Sequence, residues 1–158
     1  MDIQSSDPNI ASILCYHGNL SRREAESIIA SATIGDPALA AHRMVKHCGS
    51  KRAWAESIIA SATIGDPAGA AYLMAEDYDS DPKWAESVIE NATSGDPAWA
   101  AYWMVQNCRS DLAWAEDVIA KATTGDPARA ACCMVRDCKS EREWADSVAA
   151  NFQARKGN

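Results

Sequence analysis

The chain has 158 residues, 47% of them apolar, which is enough to bury a core and excludes both a disordered segment and a disulfide-dependent miniprotein as expectations. A net charge of -7 and a pI of about 4.9 oppose nucleic acid as a partner, because affinity for a polyanion comes largely from basic side chains that displace phosphate counterions. No apolar run reaches the roughly 18 to 20 residues a bilayer requires, and MDIQSSDPN lacks the basic start and apolar stretch of a secretory leader, so the expectation is a cytoplasmic protein with no membrane partner.

After residues 1–6, expected to be disordered, helices are predicted in pairs. They fall near 8–17 and 20–33, 37–48 and 51–63, 67–77 and 82–93, 97–108 and 111–123, and 127–138 and 141–155, with 156–158 as a frayed tail. The string GDPA recurs at Gly35, Gly65, Gly95 and Gly125, 30 residues apart, and AESIIASATIGDPA from Ala25 recurs unchanged from Ala55. A fixed period of this length marks a solenoid or array. The fold class is therefore all-α: an α-α superhelix (solenoid) of about five 30-residue helix-turn-helix repeats, in one domain over 7–155.

Each unit reads GDPAxAAxxMVxxCxSxxxWAESIIAxAT. Gly suits the left-handed position past a helix, Asp accepts from the free N–H groups of the next helix, and Pro fits its first turn. GDP thus ends one helix and begins another. It is not a phosphate loop, since no GxxxxGK accompanies it and the Asp repels phosphate. Second helices open after a serine: Ser21 with Glu24 and Ser140 with Glu143 have capping-box spacing, and Asp81-Pro82 repeats the cap-then-proline device. The terminal units depart from the pattern as caps do, with Glu24 in the Trp column and Phe152 in the small Ala column.

Units of about 30 residues with an IGDPxA junction, and a second helix after a turn such as DSDPKWAESV, resemble the short HEAT-like repeats of the phycobilisome lyase type. The likeness covers nearly the whole chain, although WAES stands where those repeats carry Val-Arg. It implies an α-α superhelix and mostly protein binding; such repeats also serve as bilin lyases and as metal-dependent hydroxylases with paired His-Glu motifs. No His-Glu dipeptide exists here, so the hydroxylase chemistry is not carried over.

Repeat columns separate core from surface. Ala40, Ala41, Met44, Val45 and Cys48 share one helical face and barely change between units, as do Trp54, Ala55, Ile58, Ile59 and Ala62 on the second helix. Trp54, Trp84, Trp114 and Trp144 are read as packing. The acidic column Glu26, Glu56, Glu86, Glu116 and Asp146 is read as first-turn acids favoured by the helix dipole or bonded to the next unit, ahead of a carboxylate ladder for a basic partner. The Cys48, Cys108 and Cys138 column is packing, all six thiols are expected to be reduced, and Cys132 and Cys133 lack the CxxC or His that would make a metal site. His17, His42 and His47 have no triad partner placed by any motif.

The freely varying columns are the candidate surface: Trp99, Tyr102 and Trp103 with Tyr72 and Leu73 form its centre, Leu39 and Arg129 vary in the same columns, and a basic flank of His42, Arg43 and Lys46 and an acidic flank of Glu76, Asp77, Asp79 and Asp81 would orient a partner. Large aromatics on a face the core does not need suit a binding hot spot. The expected function is a protein- or peptide-binding scaffold without catalytic residues, cofactor or metal. The alternatives are a self-associating assembly module and, from the resemblance, a bilin-lyase-like enzyme.

Overall fold

The computed structural model describes residues 6–156, so the expected disordered start and tail, apart from Ser6 and Lys156, lie outside the described residues. Ten helices and no strand occur among the described residues: α1 (Pro8–Tyr16), α2 (Arg22–Ala30), α3 (Pro37–Cys48), α4 (Arg52–Ser61), α5 (Pro67–Tyr78), α6 (Pro82–Asn91), α7 (Pro97–Cys108), α8 (Leu112–Lys121), α9 (Pro127–Cys138) and α10 (Arg142–Lys156). Successive pairs form units 1 to 5, an all-α repeat solenoid.

Every first helix opens on the aspartate of its junction. Asp36, Asp66, Asp96 and Asp126 accept the N–H of Leu39, Gly69, Trp99 and Arg129 at 2.9–3.1 Å, and proline follows each at the first helical position. The same carboxylates reach across the repeat. Asp36, Asp66 and Asp96 also accept the backbone N–H of Asp66, Asp96 and Asp126 at 3.1, 3.3 and 3.2 Å. The glycine before each aspartate makes this approach possible: a Cβ on Gly95, where φ is +76°, would lie 2.1 Å from Asp66 Oδ1. First helices end on a left-handed residue, Gly49 in unit 2 and then Asp79, Arg109 and Lys139.

The second helices α4, α6 and α8 stop two residues before their expected ends and α2 three, whereas α10 runs one residue past its own. The chain leaves the helix at Ala62, Ala92 and Ala122 in an extended conformation, so the junction glycine sits three residues beyond the cap and serves the turn and the ladder instead of closing the helix. The box at Ser21–Glu24 forms as expected. The one expected at Ser140 does not, because α10 begins at Arg142 and Ser140 lies buried in the unit junction. Ser50 and Ser80 show what this column does: their hydroxyls donate to Glu26 and Glu56 of the preceding unit at 2.7 Å. Glu26 and Glu56 also meet Arg22 and Arg52 at 3.7 and 3.5 Å, so here the acidic column binds the next unit, as expected from the sequence.

The core runs the length of the stack as layers of Ala, Met and Ile. Met44, Met74, Met104 and Met134 and Ile29, Ile59, Ile89 and Ile119 are fully buried, and Trp54, Trp84, Trp114 and Trp144 pack half-buried against them. First helices pack side by side, α1 on α3 through α7 on α9, whereas consecutive second helices make at most sparse contact. Shallow grooves open between the second helices instead, of about 270 Å³ between α2 and α4 and about 320 Å³ between α4 and α6. A stack that is close in one layer and gapped in the other bends toward the close layer, which puts the first helices on the concave side.

Gly95→Ala should lower the melting midpoint more than Gly49→Ala. Both residues have positive φ, a strain of roughly 1–2 kcal/mol for alanine, but a Cβ on Gly49 meets open space while one on Gly95 strikes the Asp66 carboxylate. Lys139→Gly relieves the same strain and should raise the midpoint, by roughly 0.5–1 kcal/mol in denaturant titration.

Candidate functional site

The varying columns of the first helices divide into two sets. One set faces the next unit. His42 Nε2 donates to Asp77 Oδ2 at 3.2 Å, Asn107 Nδ2 donates to the Tyr72 hydroxyl at 2.7 Å, and the Tyr102 hydroxyl donates to Asp137 Oδ2 at 2.8 Å, each pair 35 residues apart. His42 and Tyr102 are consequently 4% and 5% exposed, so neither is a surface residue as the helical pattern alone suggests. They are the polar clasps of successive junctions.

The second set stays accessible. Trp99, Trp103 and Leu73 are half-buried and Arg129 is exposed, and Tyr72, although it belongs to a clasp, is also half-buried and not buried like His42 and Tyr102. Trp99 stacks on Tyr102 at 5.2 Å, Trp103 leans on Tyr102 at 4.9 Å and on Trp99 at 6.0 Å, and Tyr72 of the preceding unit stacks on Trp103 at 6.4 Å. The Arg129 guanidinium lies over the Trp99 ring, 5.3 Å from its centre. The structure thus brings together Trp99, Tyr102, Trp103, Tyr72 and Arg129. Leu39, His42 and Arg43 belong to unit 2, away from this cluster, where Arg43 donates to Asn9 at 3.2 Å.

Charges flanking the rings are largely matched within the fold. Lys46 and Asp77 are 3.7 Å apart across α3 and α5, and Arg136 holds Asp137 at 2.7 Å. Hydrogen bonds from Arg136 and then Tyr102 pull the Asp137 carboxyl down to about 2, so it accepts from Tyr102 as a carboxylate throughout the neutral range. Burial, then the Glu76 carboxylate, raises the Tyr72 phenol and keeps it a neutral donor to Glu76. Beside the Tyr72 hydroxyl, between the C-terminal ends of α5 and α7, an open polar groove of about 660 Å³ is lined by Glu76, Asp79, Ser80, Gln106 and Asn107.

Sequence reading missed the 35-residue clasp. The matching of His42 with Asp77, Tyr72 with Asn107 and Tyr102 with Asp137 was available as a signal, since donor and acceptor types stay complementary while both residues change. All six cysteines are unpaired; Cys133 is buried and its neighbour Cys132 exposed, as the 100° step between adjacent helical residues requires. No cluster of three or more metal-ligating side chains occurs among the described residues, and no described helix is long and apolar enough to cross a membrane.

Fold and surface together define an all-α tandem-repeat solenoid whose first-helix layer carries the aromatic cluster of Tyr72, Trp99, Tyr102 and Trp103. Compared with known proteins, the chain matches no family model, no curated protein and no solved structure.

His42 makes the second junction sensitive to acid. Burial lowers its pKa, outweighing the opposing pull of Asp77, and Lys46 and Arg43 act in the same direction as burial; the Tyr78 ring closes the site edge-on and Nδ1 has no protein partner. The folded chain therefore binds this proton less readily than the unfolded chain. The contribution is whole above about pH 6.5 and is lost as pH falls through the folded-state value. Melts from pH 8 to 5 should show a declining midpoint below about pH 6.5, and His42→Gln should flatten that decline.

Proposed function

We propose that the chain is a non-catalytic scaffold that binds a protein or peptide segment along its concave layer, centred on Trp99 and Trp103 with Tyr72 and Arg129. The observation that carries this reading is substitution among the units of this one chain. The columns holding Trp99 and Trp103 hold Leu39 and Arg43, Gly69 and Leu73, and Arg129 and Cys133 elsewhere, and the same stack is built each time. The indoles are therefore not needed for stacking, yet they are held in fixed mutual contact where a partner could reach them. Binding hot spots are enriched in Trp, Tyr and Arg. Glu76 and Asp79 in the adjacent groove suit a basic side chain next to the apolar one seated on the indoles.

The polar character of the groove between α5 and α7 supports the same reading, since it suits a peptide better than an apolar cofactor. Self-association is the second reading. Ile13 and Tyr16 on α1 are 50% and 61% exposed, and a copy seated there would cover them.

A displayed peptide library selected on the native chain should yield binders with a basic residue beside an apolar or aromatic one. Trp99→Ala with Trp103→Ala should weaken them by roughly 30-fold or more, the loss of about 2 kcal/mol expected of a hot spot, while the melting midpoint falls by only a few degrees. Binders indifferent to the double change would place the surface elsewhere. Sedimentation across a concentration series separates the second reading, for which Tyr16→Ser should dissolve the associated form.

A further inference from the structure

The junction between α1 and α3 holds a pair of thiols that no later junction holds. Cys15 and Cys48 are 33 residues apart, and the equivalent positions along the stack carry Val45 and Tyr78, Ala75 and Cys108, and Val105 and Cys138. The Cys48 thiol lies 3.9 Å from the Ser12 carbonyl oxygen of α1, and Ser12 and Cys15, three residues apart, share one helical face. Cys15 is also the group that, after burial, raises the Cys48 thiol, which places the two thiols within each other's influence at this junction. Both are half-buried, and both lie at helix ends: Cys15 next to last in α1, Cys48 last in α3.

We propose that Cys15 and Cys48 are a redox modification site, a dithiol that reacts with a small-molecule disulfide and closes into an intramolecular bond stapling α1 to α3. In the first step the Cys15 thiolate attacks one sulfur of the small disulfide, forming a mixed disulfide and releasing one small thiolate. Cys48 then loses its proton and attacks the Cys15 sulfur, releasing the second small thiolate. The two protein thiols are oxidised, the small disulfide is reduced to two thiols, and the two protons pass to those leaving groups. Burial first, and then the Cys15 thiol, push Cys48 up to about 12, which makes it a poor first attacker and fits it to the resolving role. Closure forms a sulfur–sulfur bond of about 2.05 Å between two side chains that both lie at helix ends.

No other cysteines in the fold are arranged for this reaction. Cys132 and Cys133 diverge around α9, and Cys138 accepts from Gln106 Nε2 at 2.9 Å. In a chain of nearest-neighbour contacts, the packing of α1 on α3 joins units 1 and 2 directly. A staple there therefore fixes that junction and restricts the unfolded chain across it.

The test uses the full chain in graded ratios of oxidised to reduced glutathione, with differential alkylation and peptide mass mapping at each ratio. The expected result is a monomer with one cross-link, Cys15 to Cys48, and a melting midpoint raised by about 5 °C or more. Cys15→Ser and Cys48→Ser should each abolish the link and the rise while the reduced variants keep wild-type helicity by circular dichroism. The map is read on the unaltered chain, so a variant that fails to fold does not spoil it. Three results overturn the proposal: Cys15 and Cys48 left as thiols or glutathione adducts while Cys132 is oxidised, a link between other cysteines or between chains, or a Cys15–Cys48 link that leaves the midpoint unchanged.

Discussion

The aspartate of each junction is the point on which the stack depends, because one carboxylate serves two backbones. Asp36, Asp66 and Asp96 cap their own helices and also take the N–H of the aspartate one unit on. Hydrogen bonds to a charged acceptor are worth roughly 1.5–3 kcal/mol, more than the neutral average, and here each fixes the start of one helix relative to the next. The combination favours aspartate: asparagine can still cap a helix but lacks the carboxylate's charge, and glutamate places its acceptors a carbon too far. The glycine is held by the same constraint from the other side, since Asp36 and Asp66 lie where a Cβ on Gly65 and Gly95 would go. GDP is therefore identical at all four junctions while neighbouring columns drift.

A ladder of this kind joins nearest neighbours only, and the other junction contacts follow the same rule. The serine hydroxyl reaching back 24 residues to a glutamate and the clasp reaching on 35 residues both link adjacent units. Their quality is uneven along the chain. Arg22 and Arg52 support Glu26 and Glu56 in the first two units, but Pro82 and Leu112 occupy that column next, and Ser110 and Ser140 have buried hydroxyls with no partner. The N-terminal junctions are therefore better satisfied in this column than the C-terminal ones. The longer α10 compensates at the far end, where Phe152 is buried and Arg155 donates to the Ala122 carbonyl at 3.3 Å.

Much of this was legible because the repeat writes its punctuation in residues with few conformational options. Pro at N1 and Asp before it placed the start of α3, α5, α7 and α9 to the residue. Second-helix ends were less legible, since Ala-Thr carries no stop signal and the chain turns extended there for the sake of the junction. The surface was half legible for a different reason. Periodicity identifies the face a helix turns toward its own partner, but says nothing about the flank that meets the same helix one unit later. Trp99 and Trp103 fall outside that flank and Tyr102 inside it, although all three lie on what the helical wheel treats as one face.

That division gives the aromatic cluster its physical character. Tyr102 is pinned by Asp137 from below, and Trp99 and Trp103 rest on Tyr102, while Tyr72 and Arg129 close the two sides from neighbouring units. Each contact removes some ring area from a partner, so the patch offers less apolar surface than three free aromatics would. Each also removes rotamer freedom before a partner arrives, and ordering a flexible interface side chain costs roughly 0.5–1.5 kcal/mol. A ring already held loses little on binding, as in paratopes built on rigid Tyr and Trp. For a small patch on a solenoid, where one or two anchors must supply most of the affinity, fixed rings that expose part of their faces serve better than larger mobile ones. The junction that buries Tyr102 is thus what holds Trp99 and Trp103 in place for the partner proposed above.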